Sequence, residues 1–230
     1  MTGPQNRVNV GGNVGGNVVA GNHNVVGAAG TSPADPDAPT GLLSRMGFVV
    51  DVVGYGRRTA EQKSDVQHRL RTLIGHTLSD LGIAFDDALN DGGSGDGMAV
   101  FLPVGVDYTR ALPGLLTSTV AWLTSDNARF RDRMRLRMAI GTGLVGTGGQ
   151  TGLLGELIID LSRLLDSVVL RQAVVDHLES DLVVLVANGL HDDVIRPGYL
   201  DPASFTGVTV TVKEFTAPAW LWIGRGRPVP

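Results

Sequence analysis

The stretch Phe48-Val49-Val50-Asp51-Val52-Val53-Gly54-Tyr55-Gly56 constrains this chain more than any other. Its first six residues are apolar except for one carboxylate, and four of the apolar ones are β-branched. An apolar run this short, closed by glycines, predicts a buried strand over about residues 47–53. A bare Asp inside such a strand is costly to desolvate unless something compensates it. The compensators open to it are a cation, a set of backbone N–H donors, or a metal; the plain structural alternative is a strand-end Asp capping the next helix. Gly54 and Gly56 permit a tight turn whose backbone can approach a ligand closely.

A second carboxylate sharpens the reading. Gly93-Ser94-Gly95-Asp96-Gly97 is a glycine-rich turn with Asp96 at its tip, running into the apolar Met98-Ala99-Val100-Phe101-Leu102. Side by side, the two strands bring Asp51 and Asp96 together at one end of a sheet. Two hard oxygen ligands beside a turn with free N–H groups suit Mg²⁺ or Mn²⁺ carrying a triphosphate. At this point the residues resemble a known family: strand-Asp-Val-Val-Gly-Tyr-Gly followed by Gly-Asp-Gly-Met-Ala-Val-Phe is similar to the two metal-binding signatures of class III nucleotidyl cyclases. The resemblance implies that Asp51 and Asp96, with the Val52 carbonyl, hold two Mn²⁺ or Mg²⁺ ions. These activate a ribose 3′-hydroxyl and bind the phosphates of a nucleoside triphosphate. It places Val52, Val53, Gly54, Tyr55 and Gly95 around that substrate.

The 230 residues, 43% hydrophobic with net charge −4, suffice for one domain with a real core and a short appendage. No apolar run approaches the ~20 residues that span a bilayer, and the polar N-terminus has no signal-peptide pattern. With no cysteine there is no disulfide framework, which fits a cytoplasmic protein. Mild acidity argues against a nucleic-acid surface. Residues 1–30 repeat an Asn-Val unit between glycine pairs, and this leader reads as a flexible tail or as a small self-assembling or docking β-module. A proline-rich linker follows, with its boundary set at 44, then the main domain over 45–224 and a tail over 225–230.

Within that domain the patterns predict a helix from Thr59 to Gly82 and the start of a strand at Ile83-Ala84-Phe85. Asp86, Asp87, Asn90 and Asp91 read as a polar loop. Further on come a helix over 109–123, a short charged helix over 126–133, and a half-exposed strand over 134–141. A flexible glycine loop then runs to Gly149, a helix covers 155–166, and strands follow near 182–186, 208–215 and 219–223. Arg57 and Arg58 read as a solvated face with reach to a phosphate. The histidines show no metal-ligand spacing and are read as non-catalytic.

The helix Gly155-Glu156-Leu157-Ile158-Ile159-Asp160-Leu161-Ser162-Arg163-Leu164 is similar to the cyclase helix that carries a transition-state arginine, which falls at Arg163. The alternative is a surface Arg paired with Asp160 or Asp166. The family's asparagine falls at Ile159, which cannot hydrogen-bond a ribose. Val-Lys-Glu-Phe before Trp-Leu-Trp resembles the family's C-terminal hairpin and makes Lys213 a substrate contact, or an ordinary strand lysine. The implied architecture is a ferredoxin-like α+β fold, a mixed and mostly antiparallel sheet with helices on one face. The family works as a head-to-tail homodimer with shared active sites, one subunit giving the aspartates and the other the arginine. The positions that read a purine in relatives fall at Gly92 and Gly152, so the pattern looks more like the bacterial pyrimidine cyclases of Pycsar antiphage defence. Those make cUMP or cCMP for a cyclic-nucleotide-responsive effector. Tyr55 packs against substrate on that reading, or covers the sheet end. A non-catalytic homologue that binds nucleotide or protein is the second hypothesis. A diguanylate cyclase is weaker, since Asp96-Gly97 lacks that family's acidic-aromatic continuation.

Overall fold

A computed structural model of the protein describes residues 41–93, 95–148 and 152–224. The leader, most of the linker and the C-terminal tail lie outside those residues. The strand with Asp51 is β1 (Leu43–Val52), longer at its start than its apolar run. α1 (Ala60–Asp80) begins where Thr59 and Gln62 cap each other reciprocally, and it stops before Gly82, whose φ is 72°. β2 (Leu89–Asn90) and β3 (Gly97–Phe101) flank the Asp96 turn, and α2 (Tyr108–Arg129) follows. Next come β4 (Leu136–Gly148), β5 (Gly152–Leu154), α3 (Glu156–Asp166), α4 (Val168–Asp176) and β6 (Leu182–Ala187). The hairpin of β7 (Phe205–Val212) and β8 (Phe215–Gly224) ends the domain.

The sheet order is β2-β3-β1-β4-β6-β8-β7, with β5 paired to the outer part of β4. Every pairing is antiparallel except β4 with β6. This is the expected mixed, mostly antiparallel α+β sheet. Its helices, however, cover both faces rather than one. Met138 and Ile140 of β4 join a core with Phe48, Leu70 and Leu115 under α1 and α2. Ala139 between them joins a second core with Leu161 and Leu170 under α3 and α4. Central strands that are apolar on both sides need cover on both sides.

Three local expectations change. Ile83-Ala84-Phe85 does not start a strand; Phe85–Asp87 form a single 3₁₀ turn, and β3 pairs instead with Leu89 and Asn90. Of the separate charged helix expected over 126–133, residues 126–129 are the last part of α2, because no glycine or proline interrupts the run from Val120 to Arg129, and 130–133 lie beyond the helix. The glycines from 141 to 148 are not a loop but part of β4. α3 lies so close that a Cβ on Gly143 would stand 3.1 Å from the Leu157 Cβ, and one on Gly141 3.2 Å from a Leu161 methyl. These glycines serve helix-on-strand approach.

Candidate active site

The β1–β3 register sets Asp51 opposite Gly97, one residue beyond Asp96. The Val52 N–H donates to the Asp96 carbonyl at 2.8 Å, which fixes the turn to the end of β1. Gly97 has no room for a side chain, since a Cβ there would lie 2.8 Å from the Val50 carbonyl oxygen. The turn is shaped by residues read only as a polar loop. Asn90 Oδ1 accepts from Gly92 N at 3.0 Å, and Asp91 Oδ1 accepts from Gly93 N at 3.0 Å and Ala99 N at 3.1 Å. Asn and Asp two residues ahead of a glycine are the sequence signal for this kind of turn.

Asp51 is only 7% exposed, while Asp96 is exposed. The compensating cation is Arg137 of β4, directly across the ladder from Asp51. Its Nε donates to Asp51 Oδ2 at 2.7 Å, and its Nη2 forms an ion pair with the same oxygen. Nη1 donates to the Leu165 carbonyl at 3.1 Å, and Asp166 lies 3.6 Å from Nη2 at the end of α3. The other oxygen of Asp51, Oδ1, is buried without a hydrogen-bond partner. Burial pushes the Asp51 carboxyl above its ordinary pKa; the hydrogen bond and charge of Arg137 pull it back, and Asp96, by its charge and as a carboxyl near enough to hydrogen-bond a protonated Asp51, pushes it up again. Sequence reasoning placed Arg137 on a half-exposed strand and missed this role.

A divalent cation suits this arrangement. A buried carboxylate oxygen has no partner, and a second carboxylate stands beside it on an exposed turn. Among the described residues no cluster of three or more His, Asp or Glu side chains could hold a metal. Two carboxylates, completed by waters and substrate phosphates, are what Mg²⁺ or Mn²⁺ takes at a nucleotide site, in contrast to an all-protein cage.

The turn after β1 is firmly held. Gly54 has φ 72° and opens a 3₁₀ turn over Tyr55–Arg57. The Val53 N–H donates to the Arg135 carbonyl at 2.9 Å, and its carbonyl accepts from Arg58 Nη1 at 3.0 Å. Arg58 is therefore not a solvated residue with reach to a phosphate: its Nε also holds Asp132 at 2.8 Å, and its side chain is 10% exposed. Arg57 stays exposed. The Tyr55 hydroxyl accepts a hydrogen bond from Gln67 at 2.8 Å, and the same Gln67 amide donates to the Gly95 carbonyl at 2.8 Å.

Arg163 and Lys213 lie elsewhere. Arg163 pairs with Asp160 at 3.3 Å, and its guanidinium sits 5.2 Å from the Phe215 ring centroid. Lys213 is in the two-residue turn between Val212 and Phe215, at φ 55°, and not within a strand. That turn is at the end of the sheet opposite Asp51, on strands β7 and β8. β7 is four strands from β1, roughly 20 Å at the usual strand spacing. Ile159, one turn before Arg163 on α3, is 46% exposed. One chain thus brings Asp51, Asp96, Val52 and Arg137 together, and separately brings Arg163 near the hairpin that carries Lys213. Among the described residues no helix is long and apolar enough to cross a membrane.

No protein-family model matches the sequence, and no curated protein matches it. Solved structures match the fold. The guanylyl cyclase Cya2 aligns with a TM-score of 0.57 over 82% of this chain and 97% of that one, at 15% identity. An adenylate/guanylate cyclase/hydrolase from Silicibacter pomeroyi aligns at 0.54 over 79% and 97%, with 18% identity. The adenylyl cyclase CyaB from P. aeruginosa aligns at 0.54 over 82% and 99%, with 16% identity. From β1 to β8, the chain has the α+β fold of class III adenylyl and guanylyl cyclase catalytic domains.

Proposed function

We propose that the protein is a nucleotidyl cyclase that converts UTP or CTP into a 3′,5′-cyclic nucleotide and pyrophosphate. The observation that carries this reading is the partnerless buried oxygen of Asp51 beside Asp96, on a cyclase fold. Asp51, Asp96 and the Val52 carbonyl would hold two Mn²⁺ or Mg²⁺ ions. Bound there, such ions lower the pKa of a ribose 3′-hydroxyl and offset charge on the reacting phosphate and on the leaving pyrophosphate. Asp51, rigid at the end of β1, orients that hydroxyl for in-line attack. The glycine-bounded turn from Val53 to Tyr55 lets backbone run close to the phosphates, and Gly95 does the same beside Asp96. Arg163 and Lys213 serve the same site from a second copy of the chain, where a fixed guanidinium steadies charge in the transition state.

The pyrimidine assignment rests on Gly92 and Gly152, which have no side chain to read a purine edge. Incubation with ATP, GTP, CTP and UTP in Mn²⁺, with products separated by mass, tests it. Cyclic UMP or cyclic CMP is the expected product. Cyclic AMP or cyclic GMP would keep the enzyme class and sink the base assignment. A pyrimidine product would direct the next step to an effector that binds it, as the antiphage reading requires.

The shared-site geometry has its own test. Asp51→Asn and Arg163→Ala are each expected to be inactive. Mixed in equal amounts and allowed to exchange, they should recover about a quarter of wild-type activity, because half the dimers then carry one intact site. No recovery from exchanged dimers would remove Arg163 from the partner's site. Ile159 favours a second reading, a nucleotide-binding homologue without turnover. Binding of all four triphosphates with no product from any of them is its signature.

A further inference from the structure

We propose that Gln67 is the positioning residue that sets the spacing of Asp51 and Asp96, a role that rests on those two carboxylates holding metal. Gln67 projects from α1, whose neighbouring Val66 and Leu70 are buried in the core, so its backbone is fixed. Its single amide nitrogen donates to the Tyr55 hydroxyl and the Gly95 carbonyl, both at 2.8 Å. Tyr55 belongs to the turn that follows Asp51, and Gly95 precedes Asp96. One side chain therefore joins the two arms of the site.

The Asp96 turn needs such a tie. Gly92, Gly93 and Gly95 have φ of 76°, 74° and 69°, a conformation that only glycine adopts without strain. They offer no side chain for packing, and a cleft of about 290 Å³ separates the turn from Ser64 and Arg71 of α1. The Asn90 and Asp91 contacts act within the hairpin itself. The Val52 N–H ties the turn to β1. Among the described residues, Gln67 is the one side chain from outside the hairpin that bonds to it. Without it the turn is held to the site by the β1–β3 ladder alone, with no side-chain tie across to the Tyr55 turn, and the spacing of the two ligands loosens. Groups that orient ligands in this way typically change metal affinity about 10–100-fold when removed.

The experiment uses the full chain and Mn²⁺ alone, with free Mn²⁺ read by electron paramagnetic resonance. Gln67→Met keeps the length of the side chain and removes both donors. We expect Mn²⁺ affinity to fall about 10-fold, with the melting temperature within about 2 °C of wild type because the side chain is exposed. Tyr55→Phe, which removes one of the two contacts, should weaken Mn²⁺ less than Gln67→Met does. The double variant should be no weaker than Gln67→Met alone, because Tyr55 acts through the same amide. Wild-type affinity in Gln67→Met overturns the positioning role while leaving the metal reading intact. A large drop in melting temperature also overturns it and makes Gln67 a stability residue. Absence of Mn²⁺ binding in the wild-type protein overturns the metal reading itself, and the inference with it.

Discussion

Asp51→Asn is expected to abolish product formation from all four nucleoside triphosphates, a loss of at least about 100–1000-fold, the range seen when one group that stabilises transition-state charge is removed. The fold should survive. An asparagine oxygen can still accept from Arg137 Nε, and Arg137 keeps its bond to the Leu165 carbonyl at 3.1 Å and its approach to Asp166 at 3.6 Å. A melting curve and a product assay on the same preparation separate the two effects. A folded variant that retained product would remove Asp51 from the chemistry.

Arg137→Ala should do the reverse in metal-free solution and act first on stability. It leaves the Asp51 carboxylate, 7% exposed, beside Asp96 with no counter-charge. Breaking a buried pair from one side costs about 3–5 kcal/mol, or a melting temperature lower by roughly 10 °C for a chain of this size. Mn²⁺ should restore much of that loss, and stabilise the variant more than it stabilises wild type, because it supplies the missing positive charge. The pH dependence has a definite sign. Burial already holds the Asp51 pKa up, and losing Arg137 removes what pulls it down. The folded variant then binds more protons than the unfolded chain, so its stability falls as pH rises from the ordinary carboxylate value through the raised one. Equal Mn²⁺ stabilisation of both proteins would show that Arg137 and the metal do not share Asp51.

The elements that carry the site were legible because their signals are local. Four valines around one Asp, closed by glycines, specify a strand and a turn within nine residues, and Gly-Asp-Gly before an apolar run specifies the second. Arg137 was not legible, because it meets Asp51 across 86 residues of sequence and only the β1–β4 register brings them opposite. Alternation did place Arg135 and Arg137 on the same side of a strand; it does not say what that side faces. Gln67 on α1 reads as one more polar residue on a solvated helix until the turn of another hairpin is set against it. α4 escaped notice for a different reason. Its nine residues, rich in valine, carry little helical period, and its one clear mark is Ser167 accepting from Leu170 N at 3.2 Å. The glycines of β4 misled because close approach by a helix and flexibility of a loop call for the same residue.

The proposed supply of Arg163 by a second copy of the chain gives the activity a law of mass action. On that proposal a lone subunit has half of each site, so output depends on encounters between subunits. Below the dimer dissociation constant the rate rises with the square of protein concentration, and above it only in proportion. Basal expression is then nearly silent without any inhibitor. Anything that gathers copies of the chain, by raising their local concentration, acts as a switch without touching the catalytic groups.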